Sequence, residues 1–102
     1  MRTIKIKAIR CADYKDLQRE YENPIKHTCD IKEGDEWEWT GGERPEGLCG
    51  EAWNTLRPFA EKLLQGEGHF YGNWMKDPYS AMLSCNDGFR PVSFLITMKE
   101  TT

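Results

Sequence analysis

Alternation of apolar and polar residues predicts the first two β-strands. Residues 3–9 place Ile4, Ile6 and Ala8 on one side and lysines on the other, which is typical of a half-buried strand. Residues 36–39 alternate two glutamates with two tryptophans, so a second strand should carry both indoles on one face.

A β-hairpin is predicted for residues 79–98. Apolar residues alternate with polar ones on both sides of Asn86-Asp87-Gly88, which is a strong hairpin signal. The chain after this turn passes through Pro91 and alternates again to Met98.

A helical period covers residues 48–64. Gly66 follows where a helix would end, whereas Pro58 lacks an N–H and its ring clashes one turn back, so a kink or a break near Arg57 is expected. The apolar residues recur at helical spacing and are Leu48, Ala52, Trp53, Leu56, Phe59, Ala60, Leu63 and Leu64.

A shorter helix is predicted between residues 13 and 21. Asp13 is a suitable N-cap, and Tyr14, Leu17 and Tyr21 share one face. Asn23-Pro24 should end this helix, because the residue before a proline disfavours helical backbone.

These elements predict an α+β domain in the order β-α-β-α-β-β. We expect a small, mainly antiparallel sheet of about four strands with one long, Pro-kinked helix packed on a face. The 102 residues suffice for one domain, residues 1–102, with its own core.

Charge and composition argue against two classes of partner, nucleic acid and the membrane interior. The formal net charge is −3 and the pI is about 5.4, which argues against nucleic acid. A stacking platform for bases also needs cations between the aromatic residues, whereas Trp37 and Trp39 are interleaved with Glu36 and Glu38. No apolar run is long enough to span a membrane and no signal peptide is evident, so a cytoplasmic location is expected.

The aromatic segment of residues 68–74 has no periodicity and is interpreted as an ordered loop over the core. An exposed aromatic patch that binds a partner is the alternative. Core packing is the favoured interpretation for Trp37, Trp39, Trp53 and Trp74, and Trp53 lies on the apolar stripe of the long helix.

Cys49 occupies an unusual position for a thiol. Pro45-Glu46-Gly47 predicts a tight turn, so Cys49 should lie at the N-terminus of the long helix. Free backbone N–H groups and the positive end of the helix dipole favour a thiolate there. A small buried hydrophobic residue is the alternative role for a cysteine.

Metal binding is the first chemical hypothesis. Cys29, Cys49 and Cys85 all lie at predicted ends of elements, and with His27 or Cys11 as a fourth ligand they would suit zinc or iron. None of the cysteines has Cys-x-x-Cys spacing, so the close pair usual in structural zinc sites is missing.

A thiol-dependent enzyme is the second hypothesis. Cys49 would be the nucleophile, with His27 or His69 as the base. Residues that could orient that base are Asp30, Asp35 and Asp87.

Two segments resemble a family of short prokaryotic proteins of unknown function. They are Gly47-Leu48-Cys49-Gly50-Glu51-Ala52-Trp53, which fits Gly-Leu-Cys-x-x-Ala-Trp, and residues 85–94, which fit Cys-x-Asp-Gly-x-Arg-Pro-Val-x-Phe. Cys29 followed by Gly34-Asp35-Glu36 is similar to an earlier segment of that family. The resemblance implies that Cys29, Cys49 and Cys85 occupy pattern positions, and it implies no activity.

The function expected from the sequence is a small accessory or binding module organised around its cysteines, with metal binding as one form of it. Its partner would be a small ligand or another protein. The aromatic content is also compatible with a homo-oligomer.

Overall fold

The computed structural model describes residues 1–25 and 30–100 of the chain. The elements follow the predicted order β-α-β-α-β-β, and the α+β class is confirmed. They are β1 (Arg2–Cys11), α1 (Lys15–Tyr21), β2 (Glu36–Trp39), α2 (Gly50–Leu64), β3 (Ser80–Ser84) and β4 (Val92–Glu100). No helix in this described part is long and apolar enough to cross a membrane.

The four strands form one sheet in the order β2-β1-β4-β3, and every neighbouring pair is antiparallel. The central pair is the longest, because β1 and β4 stay in register from Arg2 opposite Glu100 to Cys11 opposite Val92, with one shift between Ala8 and Arg10. The start of β1 therefore lies beside the end of β4 at one end of the sheet, and the end of β1 lies beside the start of β4 at the other.

Alternation along these strands directs one set of side chains to the face that α2 covers. The fully buried positions on α2 include Leu56, Ala60 and Leu63. On the sheet, the residues with no exposed surface are Ile4, Ile6, Ala8, Ala81, Phe94 and Ile96. The predicted strand faces and the apolar stripe of the helix are thus the two halves of one core.

α2 is one continuous helix through Pro58, so the expected break near Arg57 is wrong, and a kink there is not confirmed. Pro58 lies on the exposed face of α2. Because Pro58 has no N–H, the Asn54 carbonyl lacks its helical hydrogen bond. Asn54 is also exposed, so water can bond to this carbonyl. Gly66 ends the helix as predicted, with a φ of 88° and its N–H bonded to the Leu63 carbonyl at 2.9 Å.

α1 corrects one expectation. Asp13 is not its N-cap: Tyr14 occupies that position, and the Asp13 carboxylate accepts a hydrogen bond from the Gln18 side chain instead. The face formed by Tyr14, Leu17 and Tyr21 is exposed, and α1 contains no buried residue. Apolar burial therefore does not hold this helix against the sheet.

Three tryptophans pack as expected. The rings of Trp39 and Trp53 meet edge to face at 5.1 Å, and Trp37 lies 6.2 Å from Phe94. Trp74 departs from the expectation, because 79 % of its surface is exposed.

The segment before β3 contains both a buried and an exposed aromatic part. A 3₁₀ turn spans Phe70–Gly72, and Phe70 is buried against Phe59. Tyr71 has a φ of 52°, which turns the chain so that its ring points outward and stacks with Trp74 at 5.1 Å. One ring covers the core while the next two are exposed.

Replacement of Leu56 by Ala should lower the free energy of unfolding by about 2–5 kcal/mol, because a fully buried side chain leaves a cavity in the core. Urea denaturation measures this loss. Leu17→Ala removes the same atoms from the exposed face of α1 and should cost less than about 1 kcal/mol. Equal losses in the two variants would contradict the assignment of the core.

Candidate functional site

A cavity of about 320 Å³ lies between the start of α2 and the loop that joins β3 to β4. Two thiols line it, those of Cys49 and Cys85. The apolar part of its wall consists of Ile31, Ala52, Val92 and Phe94. The remaining lining residues are polar and are Glu51, Asn86, Asp87 and Arg90. This size and composition are those of a small-ligand pocket.

Cys49 reaches the cavity through the predicted turn. Gly47 has a φ of 84°, and the Leu48 N–H bonds to the Pro45 carbonyl at 3.2 Å, so residues 45–48 form a turn. Cys49 is then the N-cap of α2, as predicted, and its carbonyl accepts the N–H of Trp53 at 2.9 Å. Its thiol makes no capping hydrogen bond and is available to the cavity.

Cys85 directly follows β3 and is tied to the first residue of β4. Its N–H bonds to the Val92 carbonyl at 3.2 Å, whereas the N–H of Val92 donates to the Cys85 sulfur at 3.3 Å. The carbonyl of Cys85 accepts the hydroxyl of Ser84 instead. The sulfur therefore occupies a fixed position where the hairpin opens into its loop.

The loop of residues 85–91 is longer than the tight turn that Asn86-Asp87-Gly88 suggests, although the hairpin itself is confirmed. Asp87 organises the loop, because its Oδ1 accepts the N–H groups of Phe89 at 2.8 Å and Arg90 at 3.2 Å. A hydrogen bond between the Thr55 hydroxyl and Asn86 Oδ1, at 3.1 Å, joins the loop to α2.

Arg90 connects this loop to α1. Its guanidinium forms a bidentate pair with Glu22, at 3.1 and 2.9 Å, and donates to Gln18 Oε1 at 2.8 Å. The hydrogen bond with Glu22 raises the pKa of Arg90 above its ordinary value. Because the side chains of Arg90 and Glu22 are only 23 % and 16 % exposed, the pair holds α1 against the cavity wall.

A second, more open cleft of about 530 Å³ adjoins the cavity and shares Ile31, Cys49, Asp87 and Arg90 with it. Ile25 and Asp30 also line this cleft. His27 and Cys29, two of the predicted metal ligands, lie outside the described residues.

Of the other predicted site residues, some lie near Cys49 and others do not. Asp30 and Asp87 each line a cleft that contains Cys49, whereas the Asp35 side chain accepts the Lys32 N–H in the turn before β2. Cys11 does not line the cavity, and its sulfur donates to the Ile31 carbonyl at 3.6 Å.

His69 lies away from both thiols. Its ring contacts Tyr79 at 5.8 Å and its Nδ1 lies 2.7 Å from Asn73 Oδ1. Tyr79 precedes β3 and Cys85 follows it, so a strand of five residues, roughly 17 Å, separates His69 from the cavity.

Sequence reasoning missed Arg90, Glu22 and Gln18 as a connected group. Arg90 lies 72 positions from Gln18 and 68 from Glu22, and no local pattern links it to them. The described residues contain no group of three His, Cys, Asp or Glu residues arranged to hold a metal ion, and because His27 and Cys29 are not among them the predicted set of metal ligands stays a prediction.

Comparison with protein-family models, with curated proteins and with solved structures finds no match to this chain. The resemblance of residues 47–53 and 85–94 to a family of short prokaryotic proteins stays a prediction.

Ala52→Leu should change the free energy of unfolding by less than about 1 kcal/mol, because the added atoms can enter the cavity that Ala52 lines. Ala60→Leu is the matched control on the same helix face. Ala60 is fully buried and does not line the cavity, so overpacking should cost about 1–3 kcal/mol. Thermal and urea unfolding measure both values, and equal costs would show that the cavity has no room.

Arg90→Lys should loosen α1, because lysine keeps the charge but cannot form the bidentate pair with Glu22. Amide hydrogen exchange should become faster in α1 and stay unchanged in the central strands. Arg57→Lys changes an exposed pair with Glu61 on α2 and is the control. Unchanged exchange in α1 of Arg90→Lys would mean that other contacts hold this helix.

Proposed function

We propose that this protein is a small binding module whose site is the cavity at the start of α2. Cys49 and Cys85 are the groups that engage the ligand, and the apolar wall encloses it. Arg90 and Asp87 fix the loop that forms one side of the site.

One observation carries this proposal. The two segments that stand out in the sequence, residues 47–53 and residues 85–94, each contribute a thiol to the lining of the same cavity. The first thiol is placed by a turn and a helix start, and the second by a hairpin. Cysteines that served only as small core residues would not need to share an accessible cavity.

A metal ion such as zinc or iron is one candidate occupant. Two thiolates would come from Cys49 and Cys85, and tetrahedral coordination would need further ligands. The sequence offers Cys29 and His27 for that purpose. Ile25 and Asp30, which flank residues 26–29 in the chain, line the second cleft together with Cys49. A small organic ligand that fills the apolar part of the cavity is the other candidate.

The nucleophilic role of Cys49 has less support. A cysteine nucleophile needs a base within hydrogen-bond reach. In the described part of the chain no histidine lines the cavity, and His69 is a strand length away. His27, the other predicted base, lies outside the described residues. We therefore place binding ahead of catalysis.

Protein purified without a metal-affinity tag should carry a ligand or about one metal ion per chain, measured by native mass spectrometry and elemental analysis. The bound species should be lost from Cys49→Ser and Cys85→Ser, because both remove a sulfur from the cavity. Cys11→Ser, whose sulfur lies outside the cavity wall, should retain it.

Reaction of the thiols with an alkylating reagent provides the complementary readout. Removal of the bound species should accelerate alkylation of Cys49 and Cys85. The proposal would be wrong if the protein carried nothing, gained no thermal stability from added zinc or Fe(II), and kept both thiols unreactive until denaturant was added.

A further inference from the structure

We propose that the cavity at the start of α2 binds a small uncharged aromatic molecule, a single ring with a short substituent. This inference rests on the proposed function, because it names the chemical class of the ligand for the same site. It departs from the zinc or iron that the sequence suggests.

The floor of the cavity is apolar and buried, and its sides are only partly buried. Ala52, Val92 and Phe94 form the floor and are at most 4 % exposed. Ile31 and the two cysteines pack against the core from the sides and keep part of their surface accessible. A ligand in the cavity would therefore cover carbon and sulfur surface, and burial of such surface favours binding.

The charged residues that line the cavity either have partners already or remain in water. The Arg90 guanidinium binds Glu22 at 3.1 and 2.9 Å. Asp87 Oδ1 accepts two backbone N–H groups of its own loop. Glu51 is exposed in the first turn of α2, where a carboxylate complements the helix dipole. A charged ligand would lose hydration over the apolar floor without a counter-ion reserved for it, so an uncharged ligand is favoured.

The volume of the cavity suits one ring. A dry apolar cavity of roughly 150 Å³ accepts benzene. This cavity measures about 320 Å³, so it has room for a ring and a short substituent.

The two sulfurs favour an aromatic ring over an aliphatic one. Cys49 and Cys85 both line the cavity. Polarizable sulfur makes favourable contacts with aromatic rings, and a free cysteine otherwise behaves as a small hydrophobic residue. The Val92 N–H donates to the Cys85 sulfur at 3.3 Å and holds it in place, so this contact is preorganised.

The test compares three probes that share one ring. Benzyl alcohol is neutral, benzylamine is a cation and benzoate is an anion at neutral pH, and titrations followed by amide NMR spectra give their affinities. Benzyl alcohol should bind at least about tenfold more tightly than either ion, because no partner repays the desolvation of a charge. The amides of Ala52 and Phe94, on the cavity floor, should shift most. Cyclohexylmethanol, the aliphatic counterpart, should bind more weakly than benzyl alcohol.

Two variants and the wild-type thiols locate the bound ring. Ala52→Leu should weaken binding of benzyl alcohol by at least about tenfold, because the added atoms occupy the cavity. Ala60→Leu adds the same atoms outside the cavity and should bind the probe as wild type does at a temperature where it is folded. In the wild type, benzyl alcohol should protect Cys49 and Cys85 from alkylation and leave the reactivity of Cys11 unchanged.

This inference would be wrong if either ion or cyclohexylmethanol bound as tightly as benzyl alcohol, if no probe bound, or if Ala52→Leu bound the ring like wild type. The proposed function would still hold if the purified protein carried another species that Cys49→Ser and Cys85→Ser lose. It would fail as well if the protein carried nothing, bound no probe or metal, and kept both thiols unreactive until denaturant was added.

Discussion

Burial of the apolar face of α2 against the central strands is the contact on which the rest of the structure depends. Leu56, Ala60 and Leu63 are fully buried there, opposite the inward residues of β1 and β4. This packing sets the position and direction of α2 relative to the sheet. Because Cys49 immediately precedes the helix and Cys85 immediately follows β3, the same packing decides that the two thiols share a cavity.

At the edge of the molecule, polar contacts hold α1 in place, whereas apolar burial holds α2 on the sheet. α1 buries no residue, yet the Arg90 pair with Glu22 and Gln18 holds it beside the cavity. Such a bidentate pair is directional, so it fixes orientation as well as proximity. The loop from residue 85 to residue 91 is therefore restrained on two sides, by α1 through Arg90 and by α2 through Asn86. A binding site with rigid walls loses little conformational entropy when a ligand enters.

Sequence reasoning succeeded where a local pattern has one physical solution. Alternation in β1, β2 and β4, the stripe on α2 and the turn at Gly47 all led to the observed elements and to the N-cap position of Cys49. It failed where a local rule met a tertiary context. Pro58 lies on the exposed face of one continuous helix, and α1 buries no residue although three of its apolar side chains share a face. Trp74 is exposed, in a segment where Tyr71 and Asn73 both have positive φ.

The sequence by itself determined the order of elements, the buried faces of the strands and of α2, and the places of Cys49 and Cys85 at the ends of their elements. These properties depend on backbone preferences and on the period of apolar residues, which act over a few positions. Only the tertiary structure decided which element ends meet. Cys49 and Cys85 lie 36 positions apart and line one cavity, and Arg90 and Glu22 lie 68 positions apart and form an ion pair. No pattern over a few positions links groups so distant in the chain, so only the tertiary structure places them together.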